Sequence, residues 1–238
     1  MLSRDTAYVS SIPEYAEERV TVRYPDGAKE QAEYYLAGER VGQRHFHPCG
    51  QPSVEYPLRN GVRHGVVYWW ALPGEPLSAE PYENGVPHGT AYQWGRDGQL
   101  IGTYTLEHGT GIDLWWQDWE DGPVTLVEIH YMQGGFPHGF EWWLNDDQES
   151  VYEERHWDRG TLHGIERNWN LRGRLRRGYP RYWVHGKRVT KRDYLRAAAK
   201  DPSLPPFRPE DNDPRRTFPP EIVPHLWGRS GGANARPQ

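Results

Sequence analysis

The chain has 238 residues with 28 Lys and Arg against 33 Asp and Glu, a formal net charge of -5. Apolar residues make up 36 % and the mean hydropathy is -0.94, too lean for a thick two-layer core, yet 12 Trp and 15 Tyr exclude a disordered chain. No run of about 18 apolar residues occurs, the first 20 residues lack the apolar segment of a signal peptide, and the single Cys49 excludes an intramolecular disulfide framework, so a soluble, cytoplasmic protein with no transmembrane segment is the expectation.

In chain order, residues 1–19 form an N-terminal segment that precedes the first turn signal, "PDG" at 25–27. From there glycines in turn-like contexts recur at 27, 38, 50, 61, 74, 85, 98, 109, 122, 135, 160, 173 and 186, spaced 11 to 13 residues apart, with "NDD" near Asp147 filling the one gap. Many follow Asn or Asp, the pair that tolerates the positive φ of two-residue hairpin turns. The stretches between them are strand formers: "VVYWW" at 66–70, "TAYQW" at 90–94, "IDLWW" at 112–116 and "FEWW" at 140–143. A longer motif repeats about every 24 to 25 residues, as "NGVRHG" at 60–65, "NGVPHG" at 84–89 and, after a wider gap, "GGFPHG" at 134–139 and "RGTLHG" at 159–164. Each long unit reads as one hairpin, and short connections make neighbouring strands antiparallel. The predicted fold is all-β: a single elongated antiparallel β-meander of stacked hairpins over residues 20–189. A short helix is predicted over 190–200, with Thr190 as N-cap and Asp193 three residues on. Residues 201–238 hold 9 of the 21 prolines without periodicity and read as an extended or disordered tail.

Glycine-spaced aromatic hairpins such as "YENGVPHGTAYQWGRDGQLIGTY" resemble MORN repeats, in the bacterial variant of the YwqK-like toxin-antitoxin system antitoxin family, over roughly residues 20 to 190. The resemblance implies a repeat sheet that binds a protein and, in that branch, neutralises a cognate toxin. Two features depart from it: "EHGTGIDLWW" shortens the spacing, and the C-terminal extension lies beyond the repeats.

The recurrent His64, His88, His138 and His163 are the first metal or catalytic suspects. Equivalent positions in successive hairpins lie two strands, about 9–10 Å, apart, too far for shared ligation, so a structural hydrogen-bonding role at each strand start is expected. In "HFHPC", His45, His47 and Cys49 alternate and are potential zinc ligands, although Pro48 and Gly50 place Cys49 in a turn. No phosphate loop, nucleophile elbow or zinc helix is present, so an enzyme is not expected and no cofactor is assigned.

Surface chemistry is more informative. The doublets Trp69-Trp70, Trp115-Trp116 and Trp142-Trp143 send one indole to each side of a strand, with Trp94 and Trp169 extending the stripe. Curvature, the C-terminal tail or a partner must cover them. Charge is polarised too: residues 155–200 hold 14 Lys or Arg and 3 Asp or Glu, net +11. Arg172, Arg174, Arg176, Arg177 and Arg181 cluster beside Tyr179, Tyr182 and Trp183, a pattern suited to an anionic surface such as nucleic acid or lipid head groups. The leading expectation is a non-enzymatic protein-binding module, an antitoxin or immunity protein in its most concrete form, docking through its tryptophans and arginines. Binding of an anionic surface by the basic end is the alternative.

Overall fold

Two-residue turns with left-handed backbone set the strand spacing. Asn60 and Gly61 have φ of 52° and 78°, and the same pair of signs recurs at Asn84-Gly85, His108-Gly109, Arg159-Gly160 and His185-Gly186. These are the turns whose twist matches that of the flanking strands. The computed structural model describes residues 9–71 and 74–227, and divides into two compact units, Met1–Gly109 and Thr110–Gln238. The division falls inside "EHGTGIDLWW", where the repeat spacing shortens.

The first unit contains β1 (Glu17–Arg23), β2 (Lys29–Leu36), β3 (Glu39–Phe46), β4 (Pro52–Arg59), β5 (Val62–Arg63), β6 (Gly65–Ala71), β7 (Glu75–Glu83), β8 (Val86–Pro87), β9 (Gly89–Trp94) and β10 (Leu100–Glu107). Successive strands pair antiparallel from β1–β2 through β9–β10, with β5 and β6 both pairing with β4, and β8 and β9 both with β7. The strand begins at Glu17, three residues before the predicted boundary. Ahead of it, Ile12 packs on Ala32, Tyr34 and Phe46. It approaches so closely that a Cβ on Gly42 would stand 2.2 Å from Ile12 Cδ1. A second cluster joins Tyr68, Trp70, Ala79 and Trp94.

The second unit contains β11 (Thr110–Gln117), β12 (Thr125–Gln133), β13 (Phe136–Leu144), β14 (Val151–Asp158), β15 (Thr161–Leu162), β16 (Gly164–Asn168), β17 (Arg181–Val184) and β18 (Lys187–Val189), followed by helix α1 (Lys191–Ala198). Its strands also pair antiparallel in sequence order. Thr190 caps α1 as predicted, its Oγ1 accepting from Asp193 N at 3.2 Å. Tyr194 of α1 is fully buried against Ile165, Tyr182 and Leu204.

The proline-rich segment is extended as expected, broken among its described residues by the short 3-10 turns Pro209–Asn212 and Val223–His225, and it supplies one of the three coverings open to the tryptophans. Over its described part, to residue 227, it lies along one face of this sheet, while 228–238 fall outside the described residues, as do 1–8 of the N-terminal segment. Trp169 Nε1 donates to Asn212 O at 2.8 Å, Trp116 Nε1 to His225 O at 3.1 Å, and Phe218 meets Trp142 edge-on at 5.9 Å. Ile222 is fully buried. Buried indole N–H groups usually find acceptors, and backbone carbonyls of the proline-rich segment, which bridges the sheet only at Arg215 opposite Ser150, supply them here.

One polar cluster ties the segment down. Glu154 Oε2 accepts from Trp142 Nε1 at 2.8 Å and Arg216 Nε at 2.9 Å, and Oε1 pairs with the buried Arg167. Removing one partner of a buried ion pair leaves a desolvated charge and costs about 3–5 kcal/mol, whereas replacing the pair by apolar side chains is often neutral. Glu154→Ala is therefore expected to lose about 3–5 kcal/mol in urea unfolding, and Glu154→Leu with both cations removed, Arg167→Met and Arg216→Met, to recover part of it. Equal losses in both variants would contradict this assignment.

Candidate functional site

The repeated histidines have a structural use that explains the 24-residue period. His64, His88 and His163 each interrupt a strand, between β5 and β6, β8 and β9, and β15 and β16. Their backbone N–H groups donate across to Pro57 O, Pro81 O and His156 O at 2.9–3.0 Å. The Nδ1 atoms then accept from the left-handed turn residue of the next hairpin: Asn84 N at 3.4 Å, His108 N at 3.0 Å and His185 N at 3.0 Å. One hairpin thus caps the turn of its successor. His138 instead faces Asp158, at 3.3 Å.

Two groups bring three potential metal ligands together: Glu83, His88 and His108, and His163, His185 and Asp201. His108 and His185 were not singled out from the sequence, and they stack on His88 and His163 at 4.2 and 4.3 Å. Because Nδ1 of His88 and of His163 already accepts from an amide, the ring proton of the neutral tautomer sits on Nε2, the atom that points into the group. Neither nitrogen then presents a lone pair to a cation. The same reasoning disposes of Ser203 as a nucleophile. His163 Nε2 lies 3.0 Å from Ser203 Oγ, but that hydroxyl donates to Asp201 Oδ1 at 2.5 Å, so the imidazole is donor and not base. Burial, reinforced by His185, lowers the His163 pKa and keeps the ring neutral.

The "HFHPC" residues disperse. His45 bonds to Gln43 and meets Tyr56 edge-on, His47 Nε2 contacts Trp70 O at 3.2 Å, and exposed Cys49 lies in the turn closed by Gly50 N→His47 O. Among the described residues no three-ligand group includes them.

The tryptophan doublets do split between faces, and this separates the predicted docking residues into two sets. Trp70, Trp94, Trp116, Trp142 and Trp169 are 2–7 % exposed and serve as core. Trp69 is 42 % exposed, and Trp115 and Trp143 are half-buried on the opposite face. Of the arginines, Arg172, Arg174, Arg176 and Arg177 are exposed in the 169–180 loop. Arg181 is engaged, with its guanidinium 4.2 Å from the Tyr179 ring and 3.4 Å from Glu166 Oε1.

The face of the second unit that carries Trp115 and Trp143 is a ladder of indoles and carboxylates. Register places Trp115, Glu128, Trp143, Glu153 and Asn168 in one row across β11, β12, β13, β14 and β16, and Asp113, His130, Glu141 and Arg155 in the row beside it. Sequence reasoning found the indoles of the first row and missed its carboxylates, because cross-strand register is needed to bring them together. At the centre, His130 lies 3.5 Å from Asp113, 3.3 Å from Glu128 and 3.6 Å from Glu141. Arg155 covers the Trp143 ring at 4.7 Å while pairing with Glu153, and Trp157 Nε1 donates to Glu141 Oε2 at 2.6 Å. Asp113 Oδ1 and Asn168 Oδ1 have no donor among the described residues. Burial raises the Glu141 pKa, against the pull of Trp157 and His130.

Burial alone would lower the His130 pKa, but Asp113 and Glu128 outweigh it and raise the value to about 9. A histidine held charged in the fold contributes stability that is complete below its unfolded pKa of about 6.5 and lost as pH climbs through 9. Stability is expected to fall by up to about 3 kcal/mol between pH 6.5 and 9.5, with His130→Gln flattening that limb. Chemical denaturation at a series of pH values checks this, and an unchanged slope in the variant would locate the titration elsewhere. Among the described residues no helix is long and apolar enough to cross a membrane. Searches of family models, curated proteins and solved structures found no match to this chain, so its function is argued from these faces.

Proposed function

We propose that this chain is a non-enzymatic protein-binding module whose docking surface is the open indole-carboxylate face of the second unit. The observation that carries the reading is the pair of cross-strand rows: half-buried Trp115 and Trp143 alternate with Glu128 and Glu153 on the face opposite the one where the C-terminal segment meets Trp116 and Trp142. Half-buried tryptophans beside polar groups are the side chains that dominate protein interfaces. Five carboxylates, Asp113, Glu128, Glu141, Glu153 and Glu166, stand against three cations, His130, Arg155 and Arg181, so the face favours a partner rich in Lys or Arg. The resemblance to antitoxins of the YwqK-like branch makes a cognate toxin the concrete candidate, neutralised when a rigid sheet covers its active surface.

Capture of partners from native lysate tests the reading. Proteins retained by the parent at modest salt should be lost with Trp115→Ser/Trp143→Ser and kept with Arg174→Ser/Arg176→Ser/Arg177→Ser. The opposite result would favour the alternative of an anionic surface, which the exposed arginines of the 169–180 loop support. That binding would weaken steeply with salt as phosphate counterions are released.

A further inference from the structure

In a meander, alternate connections share one end of the sheet, so the 118–124, 145–150 and 169–180 loops of the second unit lie together. They are unlike the two-residue turns at the other end. Three exposed apolar side chains lie at this end: Trp119 is 42 % exposed, Trp227 46 %, and Leu171 fully so. Charge divides along the same rim. Residues 110–154 contain 11 Asp or Glu and no Lys or Arg, and residues 155–200 are net +11. Exposed Glu120, Asp121, Asp146 and Glu149 sit on the first two loops, and Arg172, Arg174 and Arg177 on the third.

The shapes are complementary as well. Trp119, Gly122, Pro123, Thr125 and Trp227 line an open cleft of about 500 Å³, rimmed by Glu120, Asp121 and Asp146. The third loop carries an exposed tip, Leu171, followed by Arg172 and Arg174. The tip is pre-shaped: Asn170 Oδ1 accepts from Arg172 N at 2.9 Å and Arg174 N at 3.1 Å, and Asn170 N donates to Arg174 O at 2.9 Å. A preformed loop loses little conformational entropy on docking.

We infer that this rim is a self-association surface, in which the Leu171 tip of one copy enters the Trp119–Trp227 cleft of a second copy while Arg172 and Arg174 meet the Glu120, Asp121 and Asp146 carboxylates. Tip and cleft lie on the same rim of one unit, so a two-fold axis satisfies both contacts at once and closes the assembly at a dimer. The occupant is a second copy because the tip supplies both the apolar knob and the cations that the cleft's rings and carboxylates call for. This surface is separate from the open sheet face and does not depend on the function proposed for it.

Sedimentation equilibrium at low ionic strength should give about twice the 27.7 kDa chain mass, falling toward the monomer as salt is added. Arg172→Glu/Arg174→Glu and Asp121→Lys/Asp146→Lys should each weaken association about tenfold or more, since each places like charges opposite one another. An equimolar mixture of the two variants should restore the dimer, because each then presents what the other lacks, and circular dichroism of each alone establishes that it is folded. A monomeric parent at about 100 μM in low salt, reversals without effect on association, or folded variants that fail to pair when mixed would each overturn the inference.

Discussion

A carboxylate taken out of water must be paired, and each unit of this chain uses one to fasten a terminal segment to its sheet. Glu55 is fully buried; Arg44 Nε reaches its Oε2 at 2.7 Å, and Ser10 Oγ its Oε1 at 2.8 Å. Glu154 is its counterpart, with Arg167 from the sheet and Arg216 from the C-terminal segment. In both cases one partner belongs to the sheet and one to a chain end, so the end must lie on that face for the charge to be satisfied. With Ser10 held, Ile12 falls over Gly42. With Arg216 held, Phe218 falls over Trp142, and Ile222 beyond it is fully buried. A single layer of strands has two faces and too few apolar residues to bury both. These two anchors select the face that becomes core, and so the one that stays open.

Much of this fold was legible because turn chemistry is local. The pairing of Asn or Asp with Gly at intervals of about a dozen residues reports positive φ directly, and the strands, their order and their antiparallel sense follow from it. The splitting of the tryptophan doublets was legible for the same reason, since neighbouring strand residues face opposite ways. Which ring of each doublet turns inward was not. The buried ring is the second in β6 and β11 but the first in β13, and that depends on cross-strand register and on where the chain ends settle. The proline-rich segment was one of three coverings the sequence left open for the tryptophans; which one applies was not legible, because its anchors Arg216 and Phe218 have no periodicity and meet Glu154 and Trp142, over 60 residues away.

The histidines show a subtler limit. The dipeptide His-Gly occurs both as the strand interruption at His64, His88 and His163 and as the turn itself at His108 and His185. Identical letters carry two backbone conformations, told apart by position within the long period. Once the phase is known, the function of the dipeptide follows: the imidazole of one repeat accepts from the turn amide of the next, which fixes its tautomer. That hydrogen bond spends the lone pair a metal would need, so a pattern that reads as a ligand ladder is a register device.

The indoles and carboxylates of the indole-carboxylate face half-bury one another, and several of their polar groups pair within it. Trp157 donates to Glu141, Trp183 Nε1 donates to Glu166 Oε2 at 2.9 Å, and Arg155 lies over Trp143. Were this face to dock a partner as proposed, such pairing would hold the side chains in place beforehand and lower the entropic cost of docking. It would also make the face selective by rejection. An apolar partner would desolvate Glu128 and Glu153 without replacing their water, an acidic one would meet like charge, and one bearing Lys or Arg restores what it displaces. Discrimination of this kind rests on the penalty imposed on wrong partners as much as on the attraction of the right one.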